Sequence, residues 1–453
     1  MGIYGALATA VSGLKAQSFA LEHVSGNIAN SQTTGFKRTD VSFADLVPTS
    51  PYYKQLAGGV QSFTRATNNV QGDVVSADVS TYMGINGDGF FVVQQPSGSS
   101  DGNTTFGGVD YYPRRGDFQF DAEGYLVNGA GYYLMAMAVD PQTGNVSGST
   151  PEPVQITNDL LAAKQTTTVN LRANLPAYPL TANADPDTPG SELLDPADFN
   201  NDPTTGNDEV VQGQDSDTFI DNSISGGAIT VYDSNGASVD VQFRWAKTSD
   251  SPDTWNLFYQ SDADATGVNT AWVNVGEDYI FNSSGQLTPD INTVTLSGLT
   301  INGTTVGDVD ISHGSAGITQ YSDDDGAVQV TELAQNGYTA GELEGVSISD
   351  DGRIVASYTN GETVDLYEVQ LAAFNAANRL QKLDGGAFAV TQDSGEPILG
   401  ATGTILGAAL ESSNTDIADE FTKLIVTQQA YSASTRIVTT SDEMLSEVLN
   451  MIR

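Results

Sequence analysis

The sequence predicts a mainly β protein with α-helical termini, built as discontinuous nested domains. The terminal helices form a coiled-coil-like inner domain. Two β domains follow, the second inserted in the first. Three observations carry this. Both ends of the 453-residue chain place mostly apolar residues at alternating steps of three and four, the stripe of an amphipathic helix, with polar residues at Ser18, Ser25, Gln428, Thr435 and Asp442. The middle alternates with period two between Gly, Asn-Gly and Asp-Gly turns, as antiparallel hairpins do. Patterns of the first β stretch return late in the chain, so later segments close onto earlier ones.

The C-terminal stretch, 411–453, carries the longer stripe: Ile417, Phe421, Leu424, Tyr431, Val438, Leu445, Leu449 and Ile452. No Pro or Gly interrupts it, and at about 1.5 Å per residue it spans roughly 60 Å. The N-terminal stretch, 1–30, answers with Leu7, Val11, Leu14, Leu21 and Ile28. Ala6, Ala8, Ala10, Gly13, Ala16 and Ala20 lie among them and are small enough for another helix to approach closely. The simplest burial for both stripes is against each other and against copies of the same chain.

Between the ends, residues 31–71 read as an irregular connector. Residues 72–159 and 318–410 form the first β domain, with strands around Phe90-Phe91-Val92-Val93, Phe118-Gln119-Phe120 and Tyr132-Tyr133-Leu134-Met135. Residues 160–317 form the inserted β domain. Within it, 176–221 is rich in Pro, Asn and Gly. No Lys or Arg occurs from Ala173 to Phe243. That stretch reads as a surface excursion, partly mobile.

Composition excludes several classes. With 57 acidic against 17 basic residues the formal charge is -40, which repels nucleic acid and anionic membrane surfaces. There is no cysteine, hence no disulfide or thiol chemistry. No apolar run approaches the roughly 20 residues of a membrane span, so no membrane insertion is expected. The N-terminus lacks the basic flank and apolar core of a cleavable signal. The two histidines, His23 and His313, stand apart, with no second His or Cys for a metal cluster. No nucleophile elbow or phosphate-cradling loop is present. Neither catalysis nor a cofactor is expected. The Asp-rich turns at 121–124, 233–236, 322–326 and 350–352 lack the twelve-residue calcium loop and read as hairpin turns.

A set of motifs then resembles a family. Asn27-Ile28-Ala29-Asn30 with Thr34-Gly35-Phe36-Lys37 is similar to the N-terminal signature of the bacterial flagellar rod and hook axial proteins. The helix from Ala430-Tyr431 to the end is similar to their C-terminal helix. Gly87, Gly89 and Phe90, in Asn86-Gly87-Asp88-Gly89-Phe90-Phe91, resemble their recurrent strand. Arg115-Gly116-Asp117-Phe118 with Gly124 and Tyr125-Leu126-Val127 resembles the hairpin that follows. Some 160 residues between Leu160 and Ile318 make the chain resemble the longer, hook-type members; a distal-rod-type subunit with an enlarged middle is the runner-up within the family. Outside this family, the alternative is a secreted β-rich adhesin or calcium-binding surface protein, which needs no such paired ends.

The resemblance implies a structural homopolymer, a helical tube. It implies export through the flagellar type III apparatus to the outside of the cell without signal cleavage. It also implies distal rod, hook cap and hook–filament junction proteins as partners. It makes Leu7, Val11, Leu14, Leu21, Ile28, Ile417, Phe421, Leu424, Val438, Leu445, Leu449 and Ile452 the expected inner-tube contacts. Phe43 to Val47 resembles the short element that engages the export gate. A plain connector anchor explains the same residues.

Overall fold

The computed structural model describes residues 3–46, 58–100, 103–141, 143–206, 209–400 and 403–451, with backbone alone at 3, 100, 103 and 448–451. Its helices are α1 (Ile3–Ala29), the short α2 (Ser216–Asp221) and α3 (Ile417–Met451). The remainder is mainly β, as the period-two pattern predicts. The chain forms two compact units. The first comprises 1–158, 344–357 and 363–453; the second comprises 159–343 and 358–362.

In the first unit an antiparallel sheet runs Leu343–Ile348, Arg353–Tyr358, Thr363–Glu368, Tyr133–Ala138, Val93–Ser100, Asn103–Tyr111. Late strands and early strands thus form two blocks of one sheet, joined where Thr363–Glu368 pairs with Tyr133–Ala138. Two smaller pairings repeat this closure. Thr404–Gly407 pairs with Met83–Asn86, and Ala409–Glu411 with Val74–Ser76. Phe90, Phe91, Phe118, Leu134 and Phe388 fill the interior. The Asp and Asn turns cap themselves. Asp121 Oδ1 accepts from the backbone N–H of Glu123 and Tyr125 at 3.0 and 2.8 Å, a side chain standing in for a backbone acceptor.

The expected connector is more regular than its composition suggests. Thr39–Asp45 and Val60–Ala66 form an antiparallel hairpin, from Thr39 opposite Ala66 to Asp45 opposite Val60. The C-terminal helix begins at Ile417 rather than near Glu411. Glu411 ends a strand, and Asp416 Oδ1 caps the helix by accepting from Ala418 N at 2.8 Å.

The second unit packs two sheets. One runs Val210–Gln212, Thr270–Phe281, Asp253–Gln260, Ser238–Asp250, Ile224–Tyr232. The other runs Thr293–Ile301, Thr304–Ser312, Thr168–Leu175, Ile318–Gln320, with Gln329–Gln335 also paired to Thr168–Leu175. The unit therefore extends to 343, not 317. Ile318–Gln320 and Gln329–Gln335 both bond to a strand far earlier in the chain, a pairing that local pattern cannot reveal. Trp245, Trp255, Leu257, Leu171 and Ile311 belong to its buried core.

The acidic stretch 176–221 is not a loose excursion over its described length. Leu194, Phe199 and Phe219 are buried and pack with Phe258 and Trp272. The Phe219 ring lies 4.7 Å from that of Phe258 and 5.3 Å from that of Trp272. A few apolar anchors fasten a segment whose average composition is polar. All three tryptophans of the chain lie in this unit, so Trp fluorescence reports its unfolding alone. Phe219→Ala should lower the fluorescence-detected stability by about 3–5 kcal/mol in urea and open residues 176–221 to protease. A segment that merely drapes over the sheet would lose neither stability nor protection.

Candidate polymerisation interface

Helices α1 and α3 run antiparallel, and their seam is built from small residues. Ala10, Ala16, Ala20, Val24 and Asn27 are buried on α1. Among the described side chains of α3 the buried residues are Glu420, Thr427 and Ser441, with Ser434 half-buried between them. These four stand seven apart, and so do Gly13, Ala20 and Asn27 opposite. At Gly13 an added Cβ would lie 3.6 Å from Ser434 Oγ. Fourteen residues along, Asn27 Nδ2 donates to Glu420 Oε2 at 3.1 Å.

Hydroxyls can line such a seam because they satisfy themselves. Thr427 Oγ donates to Lys423 O at 2.7 Å, and Ser434 Oγ to Ala430 O at 3.0 Å. Each returns to its own helix four residues back, so neither hydroxyl needs a partner across the contact.

The larger apolar residues of both helices are mostly only partly covered. Leu7, Leu14, Leu21, Ile28, Leu424, Val438 and Leu445 are half-buried. Val11, Ile417 and Phe421 are exposed, Phe421 at 49%. Ile425, Val426, Tyr431, Ile437 and Met444 are exposed as well. The side chain of Leu449 and all of Ile452 lie outside the described residues. The stripes are expected to bury against each other and against copies of the same chain. Within the subunit Gly13 faces Ser434 and Asn27 meets Glu420, while Val11, Ile417 and Phe421 stay exposed. Sequence reading missed Thr427, Ser434 and Ser441, although their seven-residue spacing is visible, because hydropathy weighs them as surface. It missed Ile425, Val426, Ile437 and Met444 because they fall off the heptad positions.

The family motif builds the junction between this helix pair and the β structure. Asn27 Oδ1 accepts from Thr39 N and its Nδ2 donates to Thr39 O, both at 3.0 Å. Asn30 Nδ2 bonds back to Gly26 O at 2.9 Å, and Thr33 Oγ donates to Asn30 Oδ1 at 3.2 Å. Thr34 leads into Gly35, whose φ of +65° suits glycine. A Cβ at Gly35 would meet Arg115 N at 2.7 Å. The Phe36 ring lies 3.9 Å from Lys382 Nζ, a cation–π contact.

At the centre is a buried ion triad. Lys37 Nζ donates to Glu411 Oε1 at 2.5 Å, and Arg114 Nη1 to Glu411 Oε2 at 3.2 Å. Gly72 N donates to Glu411 Oε1 at 2.8 Å. Lys37 Nζ also reaches Val70 O, and Arg114 Nη2 reaches Gly87 O. The side chains of all three charged residues are almost wholly buried. Burial pushes the Lys37 ammonium below its usual range, while Glu411 pulls it back. Gly87 and Gly89 have positive φ. They carry the chain past Arg114 into Phe90, over whose ring the guanidinium sits at 5.3 Å.

Other sequence candidates resolve plainly. His313 is buried in the inserted unit between Tyr279 Oη at 2.9 Å and Leu171 O at 2.8 Å. Burial lowers its pKa, so it is a neutral core histidine. His23 stacks edge-on against Phe19 at 4.6 Å. Among the described residues no group of His, Cys, Asp or Glu is placed to hold a metal ion. No described helix is long and apolar enough to cross a membrane. Phe43 lies on the 39–66 hairpin, 47% exposed, and lines a groove of about 570 Å³ with Val24, Val41 and Lys423. Val47 lies outside the described residues.

Four family descriptions match the chain in order. They are "Flagella basal body rod protein" over residues 7–37, "Flagellar hook protein FlgE/F/G D1 domain" over 84–170, "Flagellar basal body protein FlaE D2 domain" over 215–338 and "Flagellar basal body rod FlgEFG protein C-terminal" over 407–451. The flagellar hook protein FlgE of Salmonella typhimurium is 30% identical over 98% of both chains. That of Brucella suis is 29% identical over the full length of both. A crystal structure of the Helicobacter pylori flagellar hook protein FlgE2 aligns with TM-score 0.49 and 16% identity, covering 75% of this chain and all of that one.

The triad yields a direct expectation. Glu411→Gln leaves Lys37 and Arg114 buried without their carboxylate. It should cost the first unit about 3–5 kcal/mol, read by circular dichroism on urea unfolding, with the Trp-fluorescence transition unmoved. A cost below about 1 kcal/mol, typical of an exposed pair, would show that the triad is not what holds the junction.

Proposed function

The chain belongs to the flagellar hook protein family and is a structural subunit of the bacterial flagellar hook, and on that premise we propose that copies polymerise through the outward faces of α1 and α3. The observation that carries this is the division of labour on the helices. A seam of small residues joins them within one subunit, so Val11, Ile417, Phe421, Ile425, Val426 and Ile437 remain at the surface. Exposed apolar area on that scale marks an interaction site. Burial of such area at roughly 25 cal/mol per Å² drives association. Contacts of one patch with a different patch on the next copy continue without closing, so the product is a helical tube.

In this reading 1–30 and 411–453 form the inner, polymerising part and 31–71 links it to the first β domain. That β domain carries the contacts that slide as the tube bends, and the inserted domain makes the outer surface. The curved tube passes torque from rod to filament. The distal rod, the hook cap and the hook–filament junction proteins meet its ends. Subunits leave the cell through the flagellar type III apparatus without cleavage, with Phe43 to Val47 engaging the gate. The role is mechanical and uses no catalytic group. The relatives named for the hook match this chain over nearly its whole length, which favours the hook over the distal rod.

Phe421→Asp/Val426→Asp changes two exposed positions. It should leave the monomer's stability within about 0.5 kcal/mol yet abolish tube growth, assayed by sedimentation and electron microscopy. Tubes growing from this variant at the wild-type concentration would remove the outward faces from the assembly. Separately, deletion of residues 43–47 should stop secretion. Undiminished secretion would leave Phe43 as an anchor of the hairpin.

A further inference from the structure

The excess negative charge of the chain is not spread evenly. The inserted unit holds four basic residues, Lys164, Arg172, Arg244 and Lys247, against 29 Asp and Glu. It therefore carries 25 of the 40 excess charges. Each of the four cations is engaged within the unit. Lys164 Nζ lies over the Tyr338 ring at 6.0 Å. Arg172 pairs with Glu332 at 3.4 Å. Arg244 donates to Ser223 Oγ and to the carbonyls of Ile220 and Ser223. Lys247 sits between Asp250 at 2.6 Å and Asp253 at 2.9 Å. At most these four cations could answer the carboxylates of another copy, against 29 acids on the unit itself. The acids are mostly Asp, 41 of 57 in the chain, whose short side chains hold charge close to the backbone.

We infer that assembly of this protein is gated by the ionic strength of the medium: inserted units of neighbouring copies repel one another until solution cations screen them. The inference rests on the polymer reading above. In any helical array each copy has the same neighbours, so like-charged inserted units recur at a fixed spacing. Across a solvent gap that repulsion reaches about one Debye length, roughly 30 Å at 0.01 M salt and 3 Å at 1 M. The apolar contacts of the terminal helices depend little on salt over that range, so the two terms cross. At low salt repulsion keeps copies apart; at high salt the helix contacts prevail. The partner is a diffuse atmosphere of cations rather than a bound ion, and it confines growth to a saline exterior.

The test is the critical concentration for tube growth of the full chain, by sedimentation and electron microscopy. It should fall at least about tenfold between about 0.01 and 1 M NaCl. Equal ionic strengths of sodium chloride and sodium sulfate should give the same value, since screening counts charge and salting-out does not. Asp187, Asp198, Asp217, Asp264, Asp324 and Glu342 are exposed. A variant changing all six to Asn or Gln should assemble at lower salt. The charge-keeping exchange of the same Asp for Glu, and of Glu342 for Asp, should not. A critical concentration indifferent to salt, or unmoved by the neutral variant, overturns the inference and leaves the hook reading intact. Trp fluorescence showing the inserted unit unfolded at low salt overturns it too, by moving the effect to folding. Absence of tubes under every condition counts against the polymer reading itself.

Discussion

The carboxylate of Glu411 closes the chain. It is the common acceptor for Lys37, Arg114 and the amide of Gly72, which lie far from it in sequence. Two buried cations and one carboxylate are costly to desolvate, and together they are tolerable only because the hydrogen bonds are nearly complete. Removing Glu411 strands two buried cations, whereas removing either cation leaves one balanced pair. The interaction is therefore better understood as a device of specificity than as a source of stability. It fixes where the last strand ends, hence where α3 begins, hence which residues of α3 face α1. Asn27 carries the same registration outward, holding Thr39 with both amide atoms and Glu420 at the head of α3.

From that register the surface of the helix pair follows. Small side chains on both helices allow close approach, and hydroxyls that bond back to their own helix let Thr427 and Ser434 be covered with their donors satisfied. A seam of this kind contributes little hydrophobic energy for its length. It positions the helices while leaving the apolar residues unspent, which suits a subunit that must be soluble alone and adhesive in company. The acidic inserted unit opposes indiscriminate association, so the exposed apolar faces do not translate directly into aggregation.

Much of this fold is legible in the sequence because its signals are local. Period two, Asn-Gly and Asp-Gly turns and a helix free of Pro and Gly need only neighbouring residues, and they mark the helices and most hairpins. Glycines 35, 87 and 89 announce special backbone, and the structure shows what each one passes. What stayed hidden is non-local or low in contrast. The strands at 318–320 and 329–335 bond to 168–175, which no local pattern records. The acidic segment is fastened by Leu194, Phe199 and Phe219, three anchors diluted in polar residues. The seam of the helix pair is made of Ala, Gly, Ser and Thr, so hydropathy ranked it below the stripe beside it. The triad needed Lys37, Arg114 and Glu411 to meet, and only the fold brings them together.

The most direct test is a high-resolution structure of the assembled tube by electron cryo-microscopy. The account predicts that Gly13 still faces Ser434 and Asn27 still meets Glu420 within each subunit. It also predicts that Phe421, Ile425, Val426 and Ile437 are buried against neighbouring copies. Finding those four residues exposed to the lumen, or the seam opened and exchanged between subunits, would contradict it.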